Sequence, residues 1–361
     1  MTLSCLPSQR KRYVLTSPTN HYTIGWDVGG AHLKAVLVNA QGVAISAIQL
    51  PCELWKGTDR LTLAIDQILQ TLNVNITRSA VTMTGELVDL FPNRHVGVCE
   101  ISQVLERQLK HPVTFYASRL GFLSYAEVSA HTPDIASMNW HASAQYVSQH
   151  VKNALFVDIG STTADMIPII DNKLSNLGDS DAERMANNEL VYTGVVRTPL
   201  MALANQVEFK QRNYHVAAEY FATIADVYRL LEQLPEQNDM ADTADGQDKT
   251  ALASARRIAR MIGYDLEDAS MADWIALAKQ FKHLHIKQLK QAMSQHMQNK
   301  KLTIVGAGAG EFLVQEIAQI CHSAYLSAER LISASDALTL QHTKTCFSAY
   351  AVARLANAYE S

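Results

Sequence analysis

The chain has 361 residues, 48% of them hydrophobic and 18% charged, which suits two globular domains with a substantial core and excludes a largely disordered protein. Lysine and arginine number 31 against 35 aspartates and glutamates, so the net charge is −4 and the basic footprint of a dedicated nucleic-acid binder is missing. The five cysteines are widely spaced without a CxxC pair, no apolar run reaches the length of a membrane span, and the opening MTLSCLPSQRKRYVLTSPTN puts its basic residues after its apolar ones, the reverse of a secretory signal; the expectation is a cytoplasmic enzyme with neither nucleic acid nor membrane as partner.

Residues 1–20 read as an extension. Across 22–39 the order is strand, glycine turn, strand: Ile24, Trp26 and Val28 alternate, Gly29 and Gly30 punctuate, and 33–38 is again apolar. A hairpin turn at 39–42 leads into a third strand over 43–50. Leu61, Ile65, Ile68, Leu69 and Leu72 share one face of a helix over 61–72. A strand over 79–84 delivers Gly85 and Glu86 to its end, and 101–109 and 113–116 add a helix and a strand. The pattern then starts again. NALFVDIGSTTADMIPIID at 153–171 repeats strand, aspartate, glycine turn and strand, and Asp27-Val28-Gly29-Gly30 aligns without gaps on Asp158-Ile159-Gly160-Ser161. A third strand is expected over 173–177. The stretch 207–289 carries no strand signal and reads as helices over 214–234, 251–262 and from 271 to 297, separated by the acidic loop NDMADTADGQD. KLTIVGAGAG at 301–310 is a strand entering a glycine turn with a helix from Glu311, and 345–359 is a closing helix. The resulting class is α/β: two related domains at 21–150 and 151–361, the second with a helical insertion at about 207–297.

Three loops carry chemistry. In DVGG, an aspartate at a strand end and a glycine turn leave backbone N–H groups free to cradle phosphate oxygens; Asp27 can share a hydrated Mg²⁺ with the phosphate, and Lys34 adds a positive charge. A plain hairpin using glycine for its geometry competes with that reading. DIGSTTAD is richer: Asp158, Gly160 and the hydroxyls of Ser161, Thr162 and Thr163 lie together, and Asp165 sits inside a strand, where a carboxylate needs a partner or a function. Gly306, Gly308 and Gly310 enter a helix whose N-terminus is a natural anion site. Glu86 follows Gly85 at a strand's carboxyl end, where α/β active sites gather; it is either a general base or a solvated loop carboxylate, with Asp89 the weaker alternative. In VYTGVVRTP, Gly194 permits a turn and Arg197 could clamp a phosphate or carboxylate, or serve a surface ion pair. Arg256, Arg257 and Arg260 could grip an anionic tail or form a solvated helix face.

Three such loops in this order resemble the actin/hexokinase/Hsp70 superfamily, which implies two actin-like, ribonuclease H-like domains flanking a cleft. IGWDVGGAHLKAVLV, MTGELVDLF, VDIGSTTADMIPI and ELVYTGVVRTP, supported by ADGQDK and ARRIARMIG, resemble its hydantoinase A/oxoprolinase-like branch, and within it the methanofuran- and methylofuran-biosynthesis group. Ala31-His32 departs from the broader family, many of whose members carry a hydroxyl residue there. The resemblance implies a transferase that joins an aminomethylfuran-methyl diphosphate to the phenol of a glutamylated tyramine or tyrosine-type acceptor and releases diphosphate. Asp27, Lys34, Glu86 and Asp158 would be catalytic, with Mg²⁺ on Asp27 and Asp158. Gly29, Gly30, Gly160, Ser161, Thr162, Thr163, Gly306, Gly308 and Gly310 would hold phosphate, and Asp165, Gly194, Arg197 and Glu311 would hold substrate. The rival is an ATP-dependent hydrolase or kinase using the same loops for ATP. A homo-oligomer stays open.

Overall fold

The computed structural model describes residues 21–297 and 301–359, so the expected extension at 1–20 lies outside the described residues. Strands β1 (Tyr22–Val28), β2 (His32–Asn39), β3 (Ala44–Pro51), β4 (Arg78–Met83), β5 (Val113–Tyr116) and β6 (Phe122–Ser124) form one sheet in the order β3-β2-β1-β4-β5-β6. The rest are β7 (Ala154–Ile159), β8 (Ala164–Ile170), β9 (Lys173–Leu174), β10 (Leu190–Val191), a separate hairpin β11 (Gln206–Phe209) and β12 (Arg212–His215), then β13 (Thr303–Ala307) and β14 (Tyr325–Ser327). They give a second sheet, β10-β8-β7-β13-β14, with β9 on β8. β1 runs antiparallel to β2 and parallel to β4; β7 runs antiparallel to β8 and parallel to β13. The repeat in the sequence is thus a repeat of topology.

The helices are α1 (Asp59–Leu72), α2 (Arg94–Gln108), the short α3 (Tyr125–Val128) and α4 (Thr132–Ile135), α5 (Asn139–Ser148), α6 (Asp181–Ala186), α7 (Ile224–Leu230), α8 (Ala251–Arg260), α9 (Met271–Met297), α10 (Glu311–Ile320), α11 (Ala337–Thr345) and α12 (Phe347–Tyr359). Packing follows the two-residue period of the strands. Ile24, Trp26 and Val28 point toward Leu61, Ile65 and Ile68 of α1 and Val98, Ile101 and Leu105 of α2. Leu155, Val157 and Ile159 of β7 point to a core shared with α7, α8, α9 and α10. The inner faces of both sheets close on α5 and α12, where Trp140, Ala349 and Val352 meet Val36, Phe156 and Ile167. Five layers result, with two sheets around a central helical layer. α12 comes so close to β1 that a Cβ on Gly25 would lie 2.0 Å from the Ala349 carbonyl oxygen.

The segment expected to be helical throughout needs correction at its start. Residues 206–215 form the β11–β12 hairpin, whose Phe209 stacks on Trp274 at 4.9 Å, and the helix expected over 214–234 is confined to Ile224–Leu230. The hairpin's alternating apolar positions, Val207 and Phe209, are only two, too short a run to register as strand periodicity. Among the described residues no helix is long and apolar enough to cross a membrane.

Candidate functional site

The turns after β1 and β7 close in the same way. Gly29 N–H donates to His32 O at 3.0 Å, and Gly160 N–H donates to Thr163 O at 2.8 Å. Both turns line one cleft of about 480 Å³ between the two sheets' ends, together with Asp27, Lys34, Asp158, Asp165 and Arg197. The second turn is held from behind: Val195 and Val196 donate to the carbonyls of Gly160 and Ser161 at 3.0 and 3.1 Å. Gly194 permits that contact, because a Cβ there would lie 2.5 Å from Ser161 C and Thr162 N. Its place is therefore behind the turn and outside the cleft lining, a correction to its expected contact with substrate.

The cleft floor concentrates charge. Asp27 is buried; its Oδ2 accepts from Ser348 Oγ at 2.5 Å and lies 3.8 Å from Lys34 Nζ, while its Oδ1 has no partner. Burial works against the Lys34 charge, but Asp27 and Asp158 outweigh it and raise the ammonium's pKa. Asp158 pairs in register with Asp165 across β7 and β8. Burial, then Asp165, then Asp27 and Glu311 push the Asp158 carboxyl up to about 7, with Lys34 opposing them. Burial also raises Asp165, although Arg184 Nη2 donates to its Oδ1 at 2.6 Å. His32 is lowered to about 4 by burial and by Lys34 and Arg197, so it is neutral at neutral pH. Among the described residues no group of three or more His, Cys, Asp or Glu side chains is arranged to hold a metal ion. A Mg²⁺ held by one or two carboxylates and a substrate's phosphates needs no such group. The partnerless Asp27 oxygen and the uphill ionisation of Asp158 both fit a cation between them.

Glu86 differs from its expectation. It is 1% exposed and absent from the cleft wall, because Gly97 of α2 packs against its backbone, where a Cβ would meet Glu86 O at 2.6 Å. Its Oε1 accepts from Ser137 Oγ at 2.7 Å, its Oε2 has no partner, and burial raises its pKa. Ser137 does line the cleft, and its φ of +57° is a left-handed conformation that serine rarely adopts. The route from the cleft to Glu86 thus passes through a serine hydroxyl.

The third glycine loop also needs correction. Gly306 lies within β13, paired with Val157 and Ser327. Gly310 N–H donates to Ile159 O at 2.8 Å, while Gly308 packs against the Asp158 carboxylate, where a Cβ would lie 2.2 Å from Oδ1, and also lines a separate cavity of about 500 Å³. Glu311 faces that cavity, with its carboxylate 2.5 Å from Lys344 Nζ and accepting from Tyr325 OH at 2.6 Å. The three arginines of α8 lie away from the cleft. Arg257 is fully buried, bonding Asp226 and Asp245 at 2.9 Å each, and Arg260 sits 3.5 Å from Asp245. The acidic loop is tied down by these contacts and by Arg229, which bonds Asp239 at 2.5 and 2.6 Å.

Sequence reasoning missed Ser137, Trp140, Asp181, Arg184, Tyr192 and Ser348, all in the cleft wall. Only Arg184 had a signal: Asp165 in a strand demanded a partner. That partner lies 3.9 Å over the Trp140 ring, with Asp181 near its other side. Trp55, Leu87 and Tyr192 form an exposed apolar rim at the mouth.

The hydantoinase/oxoprolinase family profile matches residues 77–353. A (4-{4-[2-(gamma-L-glutamylamino)ethyl]phenoxymethyl}furan-2-yl)methanamine synthase of Methanocaldococcus jannaschii is 34% identical over 245 residues, 68% of this chain and 72% of that protein. The enzyme of the same name from Methanococcus vannielii is 35% identical over 175 residues, 48% of this chain and 78% of that protein. Among solved structures, nucleotide-free acetone carboxylase matches 92% of this chain and 70% of its own with a TM-score of 0.55 at 12% identity, a likeness of fold alone.

Proposed function

Because this chain belongs to the hydantoinase/oxoprolinase family and has the actin-like α/β fold expected of it, we propose that it is the transferase that makes the furan–phenol ether named in its two curated relatives. The observation that carries the reading is the join, in one cleft, of a floor built for phosphate and a rim built for aromatic rings. The diphosphate of an aminomethylfuran-methyl donor would lie on the two backbone turns beside Lys34, with Arg197 at the mouth. Mg²⁺ held by Asp27 Oδ1 and Asp158 would neutralise charge developing on the leaving diphosphate. Trp55, Leu87 and Tyr192 would hold the furan and phenol rings face to face. The bond that forms joins the phenol oxygen to the furfuryl carbon; the bond that breaks joins that carbon to diphosphate.

A phenol with an ordinary pKa of about 10 must lose its proton as it attacks. Ser137 Oγ would accept that proton and pass its own to the Glu86 carboxylate it is bonded to, whose pKa burial raises, making it a stronger base. The two residues would thus act as one unit, Ser137 touching substrate and Glu86 acting through it.

Product analysis with purified protein tests the reading. Pyrophosphate release from a furfuryl diphosphate, dependent on a phenol, is expected; ADP and inorganic phosphate from ATP would instead establish the hydrolase or kinase.

A further inference from the structure

A side chamber of about 410 Å³ adjoins the cleft, and Ser137 and Asp181 line both. Two ion pairs cross it from the first half of the chain to the second: Arg94 Nη2 to Asp181 Oδ2 at 2.8 Å, and Arg119 Nη2 to Asp179 Oδ1 at 3.4 Å. The inner pair is short and belongs to the Glu86–Ser137–Asp181 cluster. The outer pair is long, and its side chains are 74% and 62% exposed. Such a pair contributes little in water, so its two members can exchange each other for a better-placed ligand, Asp179 Oδ1 keeping the Asn176 amide that donates to it at 3.1 Å. The exchange requires a ligand with both charges, a carboxylate for the Arg119 guanidinium and an ammonium for the Asp179 carboxylate. A polyanion or a simple cation would satisfy one side and strand the other.

Resting on the ether-forming reading above, we propose that this chamber receives the α-amino-acid head of the phenolic acceptor, the phenol passing Ser137 into the cleft. The γ-linked glutamyl group in the relatives' product leaves an α-carboxylate and an α-ammonium free, charges opposite to those of Arg119 and Asp179 in the chamber's outer pair. This assigns acceptor recognition to Arg119 and Asp179 in place of the α8 arginines, of which Arg257 is fully buried. Ligand in the chamber would also bridge the two halves beside the proton route.

The test compares γ-glutamyltyramine with tyramine as acceptor, by kinetics and by titration calorimetry. Arg119→Ala and Asp179→Asn should each lower the preference for the glutamylated acceptor, as the ratio of kcat/KM values, by about tenfold, the loss of one charge-assisted hydrogen bond. The loss should appear in KM. A ratio equal to that of the unaltered protein in both variants overturns the chamber and leaves the transferase reading standing. A rise confined to the KM of the furan diphosphate in Asp179→Asn also overturns it, placing the donor's aminomethyl group there. Unaltered protein that binds γ-glutamyltyramine more tightly than tyramine, and loses that difference in Arg119→Ala, yet releases no pyrophosphate, supports the chamber and sinks the transferase.

Discussion

Gly194→Ala tests whether the second turn is set by the segment behind it. A Cβ at 194 would sit 2.5 Å from Ser161 C and Thr162 N and 2.6 Å from Gly160 O. Comfortable contact begins near 3.5 Å, so the turn must retreat by about 1 Å. All three obstructing atoms are backbone, and the strip carrying them is tied by hydrogen bonds from Gly194, Val195, Val196 and Arg197, so no side chain can rotate out of the way. Overpacking of this kind costs about 1–3 kcal/mol, or about 1–4 °C in Tm for a chain of this size. The larger effect should be on rate, since a 1 Å misplacement of a positioning element costs on the order of 10²-fold. Gly160→Ala is the matched control: its Cβ would meet only Thr163 O at 3.5 Å, an ordinary contact. Its Tm should stay within about 1 °C of the parent, corresponding to about 0.5 kcal/mol. The measurements are thermal unfolding and phenol-dependent pyrophosphate release. Parent-like Tm and rate in Gly194→Ala, or equal destabilisation by the two substitutions, would refute the steric argument.

Three further outcomes are expected. The folded protein holds the Asp158 proton up to about pH 7 against 3.8 for the free group, so stability falls as pH rises through that window and is level above it. In metal-free buffer Asp158→Asn should therefore gain about 2–3 kcal/mol on the parent between pH 5 and pH 8, and a pH-independent difference in denaturation midpoints would argue against the buried charge. Glu86→Gln and Ser137→Ala should each slow turnover by about 10²-fold with diphosphate affinity retained, and the double variant should be little worse than either; multiplicative losses would break the relay. Arg257→Met should cost about 3–5 kcal/mol by leaving buried carboxylates short of a partner, seen as a lower urea midpoint with donor and acceptor KM unchanged; a raised KM at parental stability would return this arginine to the substrate.

The parts of the fold legible in the sequence were those whose signal is local. β1 and β7 announce themselves by apolar residues ended by aspartate and glycine, β2 by the apolar stretch after that turn, and the repeat of the unit carries the two-sheet topology with it. The β11–β12 hairpin was hidden because its stability comes from Phe209 against Trp274, a contact 65 positions away in sequence. The same distinction governs the site. Asp27, Lys34, Asp158 and the turn residues 160–163 sit in one cleft because two local motifs face each other across it. Ser137 had no signal, since its importance comes from a left-handed backbone and a buried carboxylate 51 positions earlier. Glu86 was visible as a residue type at a strand end, but its burial depends on Gly97 of a helix not yet placed. The α8 arginines read as solvated or ligand-binding because the carboxylates that engage them, Asp226 of α7 and Asp245 of the acidic loop, are brought to them only by the fold.

The central layer has a consequence for biosynthesis. β1 leaves the ribosome well before α12, yet its inner face is completed by that helix: Gly25 lies under Ala349, and Asp27 under Ser348, 321 positions later. At about 5–20 residues per second, that partner arrives on the order of tens of seconds later. Until then the nascent first sheet presents an unpacked apolar face next to a buried-to-be carboxylate. The first sheet therefore lacks the last layer of its core until α12 is made, and a chain released just short of residue 347 holds both sheets with the seam between them unsealed.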